Sequence, residues 1–163
     1  FKSKNRKVSY DTLYNYLGYI EEAFLAYKTE RYNIKGKDVV AGNCKYYLND
    51  LSFKNFLYPG FAYGVGYLLE NAVYLELRRL GYIVYTGSFR DKEVDFVAMK
   101  DDRVIYLQAT YMLETAQTME REYAPLLTIG DNYEKYVVSM DEVQFPSNEG
   151  VRHIQAWNLK EIL

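Results

Sequence analysis

The amino-acid sequence predicts an α/β fold in which a mixed sheet is flanked by helices and preceded by a helix-plus-hairpin segment. Three patterns carry that expectation. Apolar residues recur at helical spacing in three separate stretches, three short alternating runs follow one another in the middle of the chain, and helical and strand patterns are interleaved, which implies helices packed on a mixed sheet. The 163 residues, 49% hydrophobic and 26% charged, fit one ordinary domain or a domain with a small appendage.

The first helix is expected from about Tyr10 to Ala23, because Ser9 is a good N-cap and Leu13, Leu17, Ile20 and Phe24 share one face. The next stretch, "FLAYKTERYNIKGKDVVAGNCKYYLND", alternates and turns at "NIKGK", where Gly36 is expected to supply the permissive backbone of a hairpin loop. A helix followed by a two-stranded ribbon matches the second half of a winged helix, so residues 1–57 read as a partial winged-helix-like segment and 58–163 as the α/β domain. Bracing a neighbouring domain is the favoured role for that segment, ahead of DNA contact.

From Tyr58 the chain runs through "GFAYGVG" into a helix with Leu68, Leu69, Ala72, Val73, Leu75, Leu77 and Leu80 apolar, stopped by Gly81. The glycines do not make a nucleotide loop, since no strand precedes them and no Lys-Ser/Thr pair follows. Strands are expected at "YIVYTG", "EVDFVAMK" and "RVIYLQATY", the last two joined by a tight turn at Asp101 and Asp102. A helix from Thr115 to Leu127, a strand "KYVVSMD", and a short strand with a tail, "VRHIQAWNLKEIL", complete the order.

Composition excludes several function classes. Cys44 is the single cysteine and His153 the single histidine, so neither a disulfide within the chain nor a Cys/His zinc cluster forms, and the expected compartment is the cytoplasm. No apolar run reaches membrane-spanning length. Net charge is -2, with ten Lys/Arg against six Asp/Glu up to Leu57 and ten against sixteen afterwards, which is not the balance of a generally basic nucleic-acid binder. The basic run "KSKNRK" reads as a solvated tail, and the 19 tyrosines as the rim of a core. A first residue other than Met predicts a piece of a longer polypeptide.

Strand alternation places the candidate chemistry. Glu93 and Asp95 fall on one face with Val94 and Phe96 on the other, while Tyr106, Gln108 and Thr110 share a face. Counting out from the 101–102 turn sets Asp95 opposite Gln108, so Asp95, Gln108 and Thr110 are expected to converge. Glu70, a charge among apolar residues on the preceding helix, would join them. Two carboxylates with an amide oxygen suit a magnesium ion, which keeps several of its waters. Glu76 and Asp141 read as solvated or capping residues.

The stretches "VSYDTLYNYLGYIEEAFLAYKTERYNIKGK", "KYYLND", "GYLLENAVYLELRRLGY", "KEVDFVA", "YLQATY" and "TMEREYAPLLTIGDNYEKYVVSMD" together resemble the C-terminal region of a prokaryotic AAA-type P-loop ATPase family. In that family the ATPase precedes a winged helix and a domain of unknown function with a restriction-endonuclease-like, PD-(D/E)XK nuclease-like fold. The resemblance implies an upstream ATPase module as partner, with any ATP hydrolysis located there. It also implies a site of a helical Glu, an Asp at the end of the second strand and an acid-x-Lys on the third, which fall on Glu70, Asp95, and Gln108 with Thr110. A threonine at 110 carries no charge to orient an attacking water or offset charge on a phosphate. Arg121 is the candidate replacement cation, against a structural role paired with Glu120 or Glu122. The resulting expectation is a catalytically degenerate, nuclease-like interaction or regulatory module that binds nucleic acid or a partner protein. The alternative is an active magnesium-dependent nuclease with a non-standard basic residue.

Overall fold

The computed structural model describes residues 8–57, 59–60 and 64–163. The basic run "KSKNRK" and part of "GFAYGVG" lie outside them. In chain order the elements are α1 (Tyr10–Glu22), β1 (Ala26–Asn33), β2 (Asp38–Leu48), α2 (Ser52–Leu57), α3 (Val65–Arg79), β3 (Ile83–Phe89), β4 (Lys92–Lys100), β5 (Arg103–Ala109), α4 (Ala116–Leu127), β6 (Glu134–Ser139), β7 (Val151–Gln155) and a closing 3-10 helix (Ala156–Glu161). All seven strands form one mixed sheet in the order β2-β1-β3-β4-β5-β6-β7.

Local chemistry sets the element ends. Ser9 and Thr115 accept the N–H groups of Thr12 and Thr118, each at 3.1 Å, so α1 and α4 begin on hydroxyl caps. Gly81 takes φ +89° just past α3, the left-handed conformation that stops a helix. Between β4 and β5, Asp101 is left-handed and Lys100 pairs with Arg103, as the turn residues predict.

The β1–β2 turn differs from expectation. Its left-handed residue is Lys37 (φ 55°), not Gly36. Asn33 folds its side chain over the turn, with Oδ1 accepting from the N–H groups of both Lys35 and Gly36 at 3.1 Å. A Cβ on Gly36 would meet the Asn33 amide at 3.1 Å, a tight contact that the Asn33 side chain would have to shift to relieve. Phe24 likewise lies beyond α1 in a left-handed turn and is exposed.

The sheet is antiparallel through β3-β4-β5 and parallel through β5-β6-β7, and β1 joins it by parallel pairing with β3. The hairpin before residue 57 and the strands after it therefore belong to a single sheet. Helix α1 buries no residue, and its expected apolar face is largely open, with Leu13 and Ile20 exposed. Helix α2, whose six residues give too short a pattern to announce themselves, was not anticipated from the sequence.

Two cores sandwich the sheet. On one side Leu69, Val73 and Leu77 of α3 pack on Phe96, Leu107, Tyr136 and Val138, with Leu159 closing the end. On the other, Tyr123 and Leu126 of α4 pack on Val94, Val97, Tyr106 and Val137. A fully buried side chain of this kind stabilises the fold by roughly 1.5–3 kcal/mol. Among the described residues no helix is long and apolar enough to cross a membrane.

Candidate functional site

The site forms where β2, α3 and β4 meet, and a slip in β4 creates it. Along β3 the step from Tyr85 to Gly87 is two residues, whereas their partners Val97 and Val94 are three apart. The extra residue is a β-bulge. It sends Val94 and Val97 both into the α4-side core while Phe96 enters the α3-side core, so Val94 and Phe96 do not share a face. Asp95 is consequently re-aimed. Its carboxylate lies 3.5 Å from Lys45 Nζ and accepts the N–H of Ala109 at 2.9 Å.

Gln108 remains where alternation predicts, yet its side chain does not join the carboxylate of Asp95. Oε1 accepts the backbone N–H of Asp95 at 3.2 Å, and Nε2 donates to Glu122 on α4 at 3.3 Å. Thr110 is buried, its N–H donating to the carbonyl of Val138. The expected convergence of Asp95, Gln108 and Thr110 is thus corrected: the Asp95 carboxylate turns toward β2 and α3, and Gln108 is tied to α4.

Glu70 and Asp95 are linked through an unforeseen residue. Lys45 on β2 places Nζ 2.9 Å from Glu70, 3.0 Å from Glu93 and 3.5 Å from Asp95. Glu93 also pairs with Arg31 at 2.7 Å. Tyr47, two residues along β2 from Lys45, donates its hydroxyl to Glu70 at 2.7 Å and stacks its ring on Tyr74 of α3, centroids 4.2 Å apart. The side chains of Glu70 and Asp95 are only 14% and 12% exposed, so these ion pairs operate with little water between them. A cleft of about 640 Å³ opens beside them, with Lys45, Tyr47, Lys54, Tyr67, Glu70 and Asn71 on its walls.

The electrostatics follow from burial and proximity. Burial and the Glu70 charge push Asp95 up to about 7, against the lowering pull of Lys45 and the Ala109 N–H. Burial alone would lower Lys45, but the charges of Asp95 and Glu70 hold it above the ordinary lysine value, so it stays an ammonium. Glu93 is lowered: burial works the other way, but hydrogen bonds from Lys45 and Arg31 outweigh it.

With Lys45 in place, the donor set does not fit a divalent ion. Among the described residues no group of three or more His, Cys, Asp or Glu side chains is arranged to hold a metal. The space between Glu70, Glu93 and Asp95 is taken by the ammonium of Lys45, and Gln108 Oε1, the expected third ligand, faces the Asp95 N–H.

Arg121 takes the structural role. It pairs with Glu122 at 2.6 Å and is 70% exposed, while the Glu122 carboxylate is buried against Gln108. Glu76 pairs with Arg79 at 2.6 Å and is half-buried. Asp141 is not solvated. It is buried, accepting from the Leu113 N–H at 2.8 Å and from the Ser139 hydroxyl at 2.7 Å. Ser139 also meets His153 Nε2 at 2.8 Å, giving a Ser-His-Asp trio. The trio has the wrong protonation for a nucleophile. His153 Nδ1 accepts the N–H of Phe145, which assigns the ring proton of the neutral imidazole to Nε2, where it donates to Ser139 instead of accepting from it.

The sequence signal for Lys45 and Tyr47 was the alternation in "KYYLND": a lysine one strand period from a tyrosine that proves to be buried.

No family model and no solved structure matches the chain. It is similar to an uncharacterized protein of Haemophilus influenzae, 35% identical over 137 residues that make up 84% of this chain and 34% of that protein. An uncharacterized protein of the archaeon Methanocaldococcus jannaschii is 33% identical over 125 residues, 74% of this chain and 27% of that protein. The chain spans about a third or less of the length of these relatives.

Proposed function

We propose that the chain is the nuclease-like C-terminal domain of a P-loop ATPase polypeptide, a module that binds nucleic acid or a partner protein without cutting phosphodiester bonds. The observation that carries this reading is the ammonium of Lys45 lying among Glu70, Glu93 and Asp95. Acids that a hydrolytic site would turn toward metal and water are here neutralised from within. The missing charge at Thr110 points the same way. The length of the two relatives beyond the matched stretch leaves room for an ATPase module. The experiment is a DNA-cleavage assay with magnesium or manganese, run beside Asp95→Ala. The expected result is no cutting by either protein, and metal-dependent cutting lost in the variant would replace this reading.

One observation favours the second reading, an active nuclease. Lys45 supplies, from β2, a positive charge beside Asp95 of the kind that Thr110 lacks. Cutting that is abolished by both Asp95→Ala and Lys45→Met would establish it.

A further inference from the structure

We propose that Lys45 is the resident cation of this site, an ammonium that takes the place of a divalent metal and keeps one out. The inference rests on the non-cutting reading and specifies how the acid cluster is held at neutral pH. An ammonium has three N–H donors and no acceptor. The three carboxylates around Lys45 come from two different elements, Glu70 from α3 and Glu93 and Asp95 from β4, and the lysine reaches them from a third, β2.

The lysine is itself fixed. Its strand neighbour Tyr47 is locked by the stack on Tyr74 and by the hydroxyl bond to Glu70, so the ammonium is presented on a rigid edge. A divalent ion entering here would have to displace a tethered charge from three carboxylates at once and would still lack the amide oxygen of Gln108. Removing the lysine charge reverses the balance. Glu70 and Asp95, mostly buried, would then be left without their shared counter-ion, the condition under which a small hard cation binds oxygen ligands.

The test is Mn2+ binding, followed by the electron paramagnetic resonance of the free ion, on the full chain and on Lys45→Met, Lys45→Arg, Asp95→Asn and the double variant Lys45→Met/Asp95→Asn. The expected outcome is no saturable binding by the wild type or by Lys45→Arg. Lys45→Met should bind Mn2+ saturably and lose that binding in the double variant. If Lys45→Met folds only with metal, folding becomes the readout, and Mn2+ should restore it. Saturable binding by the wild type that Asp95→Asn abolishes would overturn the proposal, as would a Lys45→Met chain that neither binds Mn2+ nor is refolded by it. Cleavage is a separate measurement: a wild type that binds Mn2+ and fails to cut DNA would defeat this inference and leave the non-cutting reading intact.

Discussion

Asp95 and Gln108 lie just beyond Phe96 and Leu107, the last paired residues of β4 and β5, and the bond between them runs from the backbone N–H of Asp95 to Gln108 Oε1 at 3.2 Å, while the Asp95 carboxylate turns away to Lys45 and the Ala109 N–H. Gln108 is therefore a plug for the bulge: it satisfies a peptide group that the slipped strand leaves without its ladder partner.

Replacing Gln108 with Leu removes the acceptor for that N–H and the donor to Glu122. The expected cost is about 1–3 kcal/mol in urea unfolding, the penalty of unpaired buried polar groups. An unchanged midpoint would show that the bulge does not need the amide.

Asp95 makes stability depend on pH in a direction opposite to most carboxylates. Its folded value is raised above the 3.8 of an unperturbed Asp to about 7, so the folded chain holds the proton more tightly than the unfolded chain between those limits. Its contribution is greatest below about pH 4 and is lost as pH rises through 7. Asp95→Asn should be more stable than wild type at pH 8 by roughly 1–3 kcal/mol, with the difference shrinking toward pH 4. Thermal melts of both proteins across that range check it, and parallel curves would refute the assignment.

Gly87 lies where β3 faces the bulge. A Cβ there would sit 2.8 Å from a Val97 methyl and 3.0 Å from both Val94 Cβ and Ile34 Cδ1. Gly87→Ala should overpack the α4-side core at a cost of about 1–3 kcal/mol. A melting temperature equal to wild type would contradict the close approach.

The Ser139 hydroxyl links His153 to Asp141 in the buried end of the sheet. Ser139→Ala should cost about 1–3 kcal/mol, since it strands both partners. Burial lowers His153 below its ordinary 6.5, with the Asp141 charge opposing. Stability from a neutral His153 is therefore present above about pH 6.5 and falls on acidification. His153→Gln should weaken that acid dependence, read from denaturant midpoints at pH 7.5 and 5.

The legible parts were those written locally. Caps at Ser9 and Thr115, the stop at Gly81 and the 101–102 turn each act within a few residues, and their helices and hairpin formed as expected. Glu70 was found because a charge inside an apolar helical stripe needs a partner. Lys45 was hidden by register. Counting from the first hairpin turn at constant register would set it opposite Ala26, but the ladder slips between Thr29 and Arg31 and sets it opposite Thr29. Asp95 was misplaced for the same reason in β4. Alternation describes a strand until it bulges; in β2 the signal was Gly42, an interior strand glycine between Val40 and Lys45, whereas β4 has no glycine or proline at its slip.

Asn71 has a consequence for how these molecules behave together. β2 is the outermost strand, and the Asn71 side chain accepts the Leu48 N–H at 2.8 Å and donates to the Leu48 carbonyl at 2.9 Å. Those two bonds reproduce what one residue of an adjoining strand would make. Beside the acid cluster, the sheet therefore ends on an amide that already occupies the docking position of a second chain, and self-association by strand addition is blocked at that point while the neighbouring cleft stays open.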